Sequence, residues 1–130
     1  MERDFADTRL GNFEHDILSL LSKLPNSHSY GAKLVNLFEQ LDMPISIGAL
    51  YTTLKRMEEK NLVVSFWGFP QNVRGGRRKR YYIPTTRGMN VLADNEQHRA
   101  KLMSFKFEDR NSAAVQDVNI QSADIIQQLE

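Results

Sequence analysis

The chain has 130 residues, of which 41% are hydrophobic and 25% are charged, and its formal net charge is +1. These values are typical of a soluble protein with one domain and a tail. It contains no cysteine, which excludes disulfides, thiolate metal sites and cysteine nucleophiles. No apolar run reaches the roughly 18 residues of a membrane span, and residues 1–4 lack the features of a signal peptide. We therefore expect a cytoplasmic protein without a membrane partner.

Two amphipathic helices are predicted first along the chain. Apolar residues recur at helical spacing over residues 13–24, and Pro25 ends that segment. A second apolar stripe covers residues 34–41. Ser29 precedes this stripe, and we predict that its hydroxyl caps the second helix.

The third predicted helix is short and follows Pro44. Ser46 is its predicted N-cap, because a serine hydroxyl can accept a hydrogen bond from a free N–H of the first turn. Asn61 follows the helix and suits a left-handed backbone conformation. The apolar residues expected to face the core are Ile47, Leu50, Leu54 and Met57.

A β-hairpin and a fourth helix are predicted next. Residues 62–67 are rich in β-branched and aromatic side chains, as strands are, and residues 80–83 form the returning strand. Pro84 cannot donate a ladder hydrogen bond and therefore belongs at the end of that strand. Thr85 is the predicted cap of a helix that begins near residue 86 and ends near residue 103.

This order of elements predicts a mainly α fold with a small β-hairpin, namely a winged helix-turn-helix domain followed by a C-terminal helix. We assign residues 8–86 to the winged-helix domain and residues 87–103 to the C-terminal helix. Residues 104–130 form an acidic tail, for which we expect a short amphipathic helix or partial disorder.

The charge of the chain is concentrated in its middle. Residues 51–87 carry nine Lys and Arg against two Asp and Glu, whereas residues 1–50 and 102–130 each have a net charge of −3. A near-neutral total therefore conceals a basic centre between two acidic ends. This asymmetry favours an anionic partner for the centre.

The third helix is the first candidate DNA-binding element, since the major groove of B-DNA is about 12 Å wide and admits one α-helix. We expect Thr52 to contact a base edge or a thymine methyl, and longer side chains to bind phosphates. For Tyr51, packing against the second helix remains an alternative. The candidate DNA-binding residues of this helix are Ser46, Gly48, Tyr51, Thr52, Lys55 and Arg56.

The turn of the hairpin supplies the second candidate DNA-binding element. Arg74 and Arg77 flank a Gly-Gly pair and suit a narrow minor groove or the adjacent backbone, whereas Arg78 and Arg80 point to one side of the strand and Lys79 to the other. Such charge supplies affinity rather than sequence choice. A solvated basic loop and a nuclear localisation signal are the alternatives.

Other candidate sites carry weaker signals. The aromatic residues Phe66, Trp67 and Phe69 are expected to pack on the strand, with a ligand pocket as the alternative. The three histidines lack metal-ligand spacing, and no serine has a credible base partner. We therefore expect no cofactor, no metal and no enzymatic activity.

Several motifs of the chain resemble those of the PadR-like transcriptional regulators, over roughly residues 10–93. The resemblance implies a homodimeric repressor that binds double-stranded DNA, with a small-molecule effector as a further partner. The motifs are Tyr30-Gly31, Gly48-Ala49-Leu50-Tyr51 with Leu54, Lys60-Asn61-Leu62-Val63, Trp67, and Tyr82 with Thr85 and Gly88.

The resemblance also implies a dimer that binds a palindromic operator, with a seam built largely from the terminal helices. The alternative function is a winged-helix module for protein–protein interaction without sequence-selective DNA binding, in which the acidic tail and the polar fourth helix dock a partner. The expected seam residues are Phe5, Phe13, Ile17, Leu92 and Leu102.

Overall fold

A computed structural model describes residues 9–69 and 78–108 of the chain. In this part of the chain the elements follow the predicted order, which confirms a mainly α fold with a small β-hairpin. The elements are α1 (Asn12–Lys23), a 3-10 turn (Asn26–His28), α2 (Gly31–Gln40), α3 (Ile47–Glu59), β1 (Val63–Trp67), β2 (Arg80–Pro84) and α4 (Thr86–Ser104).

The chain divides into two compact units, Met1–Ala100 and Lys101–Glu130. In the second unit the described residues are the end of α4 and residues 105–108, which have no regular secondary structure. The predictions for residues 109–130 and for Phe5, Arg74 and Arg77 lie outside the described residues. None of the helices in the described ranges has the length and apolar composition needed to cross a bilayer.

Apolar stripes of the first three helices form most of the core. In α3, the side chains of Leu50, Leu54 and Met57 have no exposed surface. Helical periodicity therefore identified the buried face of this helix correctly. The other buried apolar residues are Leu10, Ile17, Leu18, Leu21, Leu34, Phe38, Leu62, Val63, Tyr82, Val91 and Leu92.

Two apolar side chains that the pattern assigns to buried stripes are exposed instead. Leu41 is 56% exposed and Ile47 is 46% exposed. These residues lie at facing ends of α2 and α3, on either side of the connection between the two helices. The spacing of apolar residues gives the buried face of a helix, but it does not show where along the helix the core stops.

Three of the predicted helix boundaries are confirmed by hydrogen bonds and backbone angles. The Ala49 N–H donates to Ser46 Oγ at 3.1 Å, and the Gly88 N–H donates to Thr85 Oγ1 at 2.8 Å. Asn61 has a φ of 62° and ends α3 in the left-handed conformation that asparagine tolerates. These caps set the ends of α3 and the start of α4.

The predicted capping role of Ser29 is wrong. The N-cap of α2 is Tyr30, whose side chain makes no capping hydrogen bond. Ser29 is only 2% exposed, and its hydroxyl donates to the Asn26 carbonyl at 2.8 Å. The hydroxyl turns back because residues 26–28 form a 3-10 turn with a carbonyl within its reach.

The hairpin is attached to the start of α2. Strands β1 and β2 pair antiparallel, with Ser65 opposite Tyr82 and Phe66 opposite Tyr81. The Tyr82 N–H donates to the Ser29 carbonyl at 2.9 Å, and Tyr30 forms an isolated bridge with Tyr81. The segment before α2 therefore extends the two-stranded sheet by one short contact.

The end of α3 and the start of α4 meet at a close backbone contact. A Cβ atom on Gly88 would overlap the carbonyl of Leu62, the residue that precedes β1. Around this contact, Thr85 Oγ1 donates to the Asn61 carbonyl at 2.6 Å, and Arg87 Nε donates to the Lys60 carbonyl at 3.2 Å. A residue without a side chain at position 88 is what lets the two helices approach.

We expect Gly88→Ala to lower the free energy of unfolding by about 2–3 kcal/mol, because the new methyl group meets backbone that cannot move aside. Gly48→Ala is the matched control, since nothing lies within 4 Å of a Cβ at that position. This control should keep or raise stability, by up to about 1 kcal/mol. Urea unfolding of both variants makes the comparison, and equal stabilities would contradict the proposed contact.

Candidate nucleic-acid interface

The outer face of α3 carries two parallel ridges of exposed residues. Burial of Leu50, Leu54 and Met57 on one side leaves the opposite side in solvent. Residues four positions apart lie above one another on a helix, so they form ridges. The first ridge is Tyr51 and Lys55, preceded by Ile47 at the exposed start of the apolar stripe, and the second is Gly48, Thr52 and Arg56.

Each ridge begins with uncharged residues and ends with a cation. Lys55 and Arg56 are exposed, and neither takes part in an ion pair with another described residue. A Cβ atom added to Gly48 would have no neighbour within 4 Å, so the helix backbone is open to approach there. The N-terminus of a helix also carries a partial positive charge. The exposed cations and the open helix backbone of this face therefore suit a polyanion with a groove that the helix can enter.

The hydroxyl groups near the start of α3 are engaged by the helix itself. Ser46 Oγ accepts the capping hydrogen bond from Ala49, so the predicted DNA-binding role of Ser46 competes with a structural one. Thr52 Oγ1 donates to the Gly48 carbonyl at 2.9 Å. Thr52 consequently keeps its methyl group and its oxygen lone pairs for an external contact, while its hydrogen is used within the helix.

Tyr51 packs within the protein and also keeps an exposed surface. Its phenol ring lies against Gly31, where an added Cβ would overlap it, and its centroid is 6.5 Å from that of Tyr82. Packing against the start of α2 is thus observed, yet 43% of Tyr51 remains exposed. Burial raises the pKa of Tyr82, and the nearby Arg80 lowers this pKa by a smaller amount. The Tyr82 phenol is therefore neutral.

Arg80 is held within the protein, an interaction that sequence reasoning missed. Its Nε and Nη2 donate to Ser65 Oγ at 3.1 and 2.8 Å, and Nη2 lies 3.7 Å from Glu58 Oε1. Ser65 in turn donates to Glu58, and the Arg80 guanidinium lies 5.1 Å from the centroid of the Trp67 ring. Arg80, predicted to contact DNA, therefore joins the hairpin to the last turns of α3.

The two residues before Arg80 contact different parts of the molecule. Lys79 Nζ lies 4.3 Å above the ring of Tyr30, on the other side of the strand from the partners of Arg80, as strand alternation predicts. Arg78 is exposed, and its Nε donates to the Gly68 carbonyl at 3.3 Å. The side chains of Arg78 and Lys79 are thus both held by contacts within the protein, directly before β2.

Contacts at both ends of α3 join it to the hairpin. Near its start, Tyr51 lies against Tyr82, and near its end, Glu58 pairs with Arg80. Lys79 also lies over the ring of Tyr30. The next residue, Gly31, is covered by the ring of Tyr51 from α3. Direct side-chain contacts therefore fix the position of the hairpin relative to α3.

The aromatic residues of β1 mostly pack on their neighbours. Phe66 stacks on Tyr81 with ring centroids 5.4 Å apart, and Trp67 lies beneath Arg80. These contacts agree with the expected packing only in part, since Phe66 is 44% exposed and Trp67 is 54% exposed. The expectation is wrong for Phe69, which follows β1 and is 93% exposed. Among the described residues, no group of His, Asp and Glu side chains is arranged to hold a metal ion.

The residues expected at a dimer seam differ in their burial within the chain. Ile17 is fully buried and Leu92 is 5% exposed, so both side chains belong to the hydrophobic core. Phe13 is partly buried and packs edge-on against Phe38 at 6.0 Å between centroids. Leu102, in the second unit, is 76% exposed.

Comparison with known proteins identifies relatives of this fold. The family model described as "Transcriptional regulator PadR-like family" matches residues 17–94. A PadR family transcription regulator from Clostridium difficile has 30% sequence identity, covers 68% of this chain and 90% of that chain, and gives a TM-score of 0.55. A PadR family transcriptional regulator from Eggerthella lenta has 25% identity, covers 78% and 88% of the two chains, and gives a TM-score of 0.56.

A third solved structure shares the fold at lower identity. A PadR-like transcription factor from Bacteroides fragilis has 23% identity, covers 77% of this chain and 89% of that chain, and gives a TM-score of 0.62. No curated protein matches the chain. The family model extends from α1 into α4, so it includes α3 and both strands of the hairpin. The chain therefore belongs to the PadR-like family of DNA-binding transcriptional regulators, which are not enzymes.

Proposed function

We propose that the protein is a repressor that binds a palindromic operator as a homodimer, with α3 of each copy in a major groove. The observation that carries this proposal is the outer face of α3, where two exposed ridges begin with uncharged residues and end with cations. Family membership supports DNA as the partner. It also favours this function over a winged-helix module for protein–protein interaction.

The dimensions of α3 agree with this binding mode. At about 1.5 Å of rise per residue, Lys55 lies about 12 Å farther along the helix than Ile47. The major groove is about 12 Å wide. A helix that enters with its first turn would thus place small side chains at the base edges, while Lys55 and Arg56 reach phosphates at the edge of the groove.

The carboxylates of α3 lie beyond its cations. Glu58 is engaged by Ser65 and Arg80, so its charge is largely compensated within the protein. Glu59 is exposed in the last turn, at the end of the helix that is farthest from the proposed groove contact. Neither carboxylate interrupts the positive part of the two ridges.

The hairpin adds contacts that do not depend on sequence. Arg78 and Lys79 directly precede β2, and we propose that Arg74 and Arg77 bind DNA together with them. These side chains are proposed to bind the backbone or the minor groove next to the major-groove contact. The DNA-binding domain of this proposal is residues 8–86, with residues 87–103 as the dimerising helix.

Dimerisation is proposed to involve the end of α4. In the described part of the second unit, exposed apolar side chains occur within a short stretch, which suits burial against a second copy. Two copies would then place two α3 helices about 34–36 Å apart, one turn of B-DNA. The cytoplasm is the proposed site of action. The exposed residues are Leu102, Met103, Phe105 and Phe107.

We expect Lys55→Ala and Arg56→Ala each to weaken DNA binding and to reduce the slope of log affinity against log salt by about one. The reason is that each variant removes one phosphate contact without touching the core. Fluorescence anisotropy at two salt concentrations, with duplexes selected from the source genome, measures both quantities. Lys23→Ala on α1 is the control. Wild-type affinity and slope in both α3 variants would rule out this face.

We expect Arg80→Ala to weaken DNA binding and also to lower the free energy of unfolding, by about 1 kcal/mol, because the hydrogen bonds to Ser65 are lost. Arg80→Lys should not restore stability, since an ammonium group cannot reproduce the planar contact. Lys55→Ala, by contrast, should lower affinity alone. Unfolding curves and binding isotherms on the same samples separate the two effects, and unchanged stability in Arg80→Ala would refute the structural role.

A further inference from the structure

Ile47 is an apolar side chain in a position where solvent reaches it. It is 46% exposed, whereas Leu50 and Leu54 of the same apolar stripe have no exposed surface. It precedes the ridge of Tyr51 and Lys55. The core therefore covers only part of this isoleucine, and its exposed part lies at the start of the helix, next to the proposed DNA-binding face.

The first two turns of α3 offer few ways to recognise a base. Their exposed side chains are apolar, aromatic or hydroxylic, with no Arg, Lys, Asn, Gln, Asp or Glu among residues 46–54. Tyr51 rests against Gly31, and the hydroxyl hydrogen of Thr52 is donated to the Gly48 carbonyl. Bidentate contacts to guanine by Arg or Lys, and to adenine by Asn or Gln, therefore cannot form in this part of the helix.

Thymine is the base that the apolar part of this surface suits. Its 5-methyl group is the apolar group that base pairs present in the major groove, and apolar side chains contact it. We infer that Ile47 is a specificity-determining residue that contacts a thymine methyl in each operator half-site. This inference rests on the proposed function, because it requires the start of α3 to lie in the major groove.

The experiment removes the methyl group alone. Duplexes that the protein selects from the source genome are resynthesised with each thymine of the half-site replaced in turn by deoxyuridine, which pairs identically. At one position per half-site we expect wild-type affinity to fall about fourfold for each methyl withdrawn. Replacing cytosine by 5-methylcytosine, in a duplex where cytosine stands at that position, should recover part of the affinity.

Ile47→Ala tests the partner of that methyl group. This variant should bind the thymine duplex with about the affinity that wild type has for the deoxyuridine duplex, and deoxyuridine should weaken it no further. Because Ile47 is exposed, thermal unfolding should be unchanged. Met89→Ala, which truncates an apolar residue of α4 that is 41% exposed, is the matched control and should retain the full effect of deoxyuridine.

Three outcomes overturn the inference. Equal wild-type affinity for thymine and deoxyuridine duplexes excludes a methyl contact, and a full deoxyuridine effect in Ile47→Ala assigns the contact to another residue. Absence of sequence-selective binding refutes the proposed function as well as the inference. That result appears before any base is replaced, so the two failures are distinguishable.

Discussion

Burial of three apolar side chains of α3 fixes the orientation of the whole interface. Leu50, Leu54 and Met57 have no exposed surface, and burying side chains of this size contributes about 1.5–3 kcal/mol each. Any rotation of α3 about its axis would return part of this surface to water. The opposite face of α3 is therefore presented to solvent in one fixed direction.

The hairpin depends on α3 for its position, and polar contacts supply that connection. Ser65, Glu58 and Arg80 form a connected group across β1, α3 and β2. Arg80 belongs to the basic segment but is engaged within the fold. The net charge of a segment therefore overstates the positive charge that is available to a ligand. Arg78 and Lys79 directly precede β2, next to the Arg80 that this group holds in place.

Close backbone contacts determine how α3 is joined to the hairpin and to α4. The end of α3 turns at Asn61, whose positive φ leads the chain into β1, and Gly88 brings α4 against the carbonyl of Leu62. Gly31 has a similar function at the other end of the interface, where it leaves space for the ring of Tyr51. Approach distances between elements thus explain the motif glycines at positions 31 and 88, but not Gly48, which has no neighbour within 4 Å of a Cβ.

The sequence by itself determined the features that depend on neighbours along the chain. Helical spacing identified the buried face of α3, and residue type identified the cap at Ser46 and the left-handed turn at Asn61, because these are properties of a few consecutive residues. Only the tertiary structure decided that Ile47 is exposed and that Arg80 is engaged by Ser65 and Glu58. The periodicity of a helix carries no information about where the core ends, and the partners of a side chain are set by the packing of distant segments.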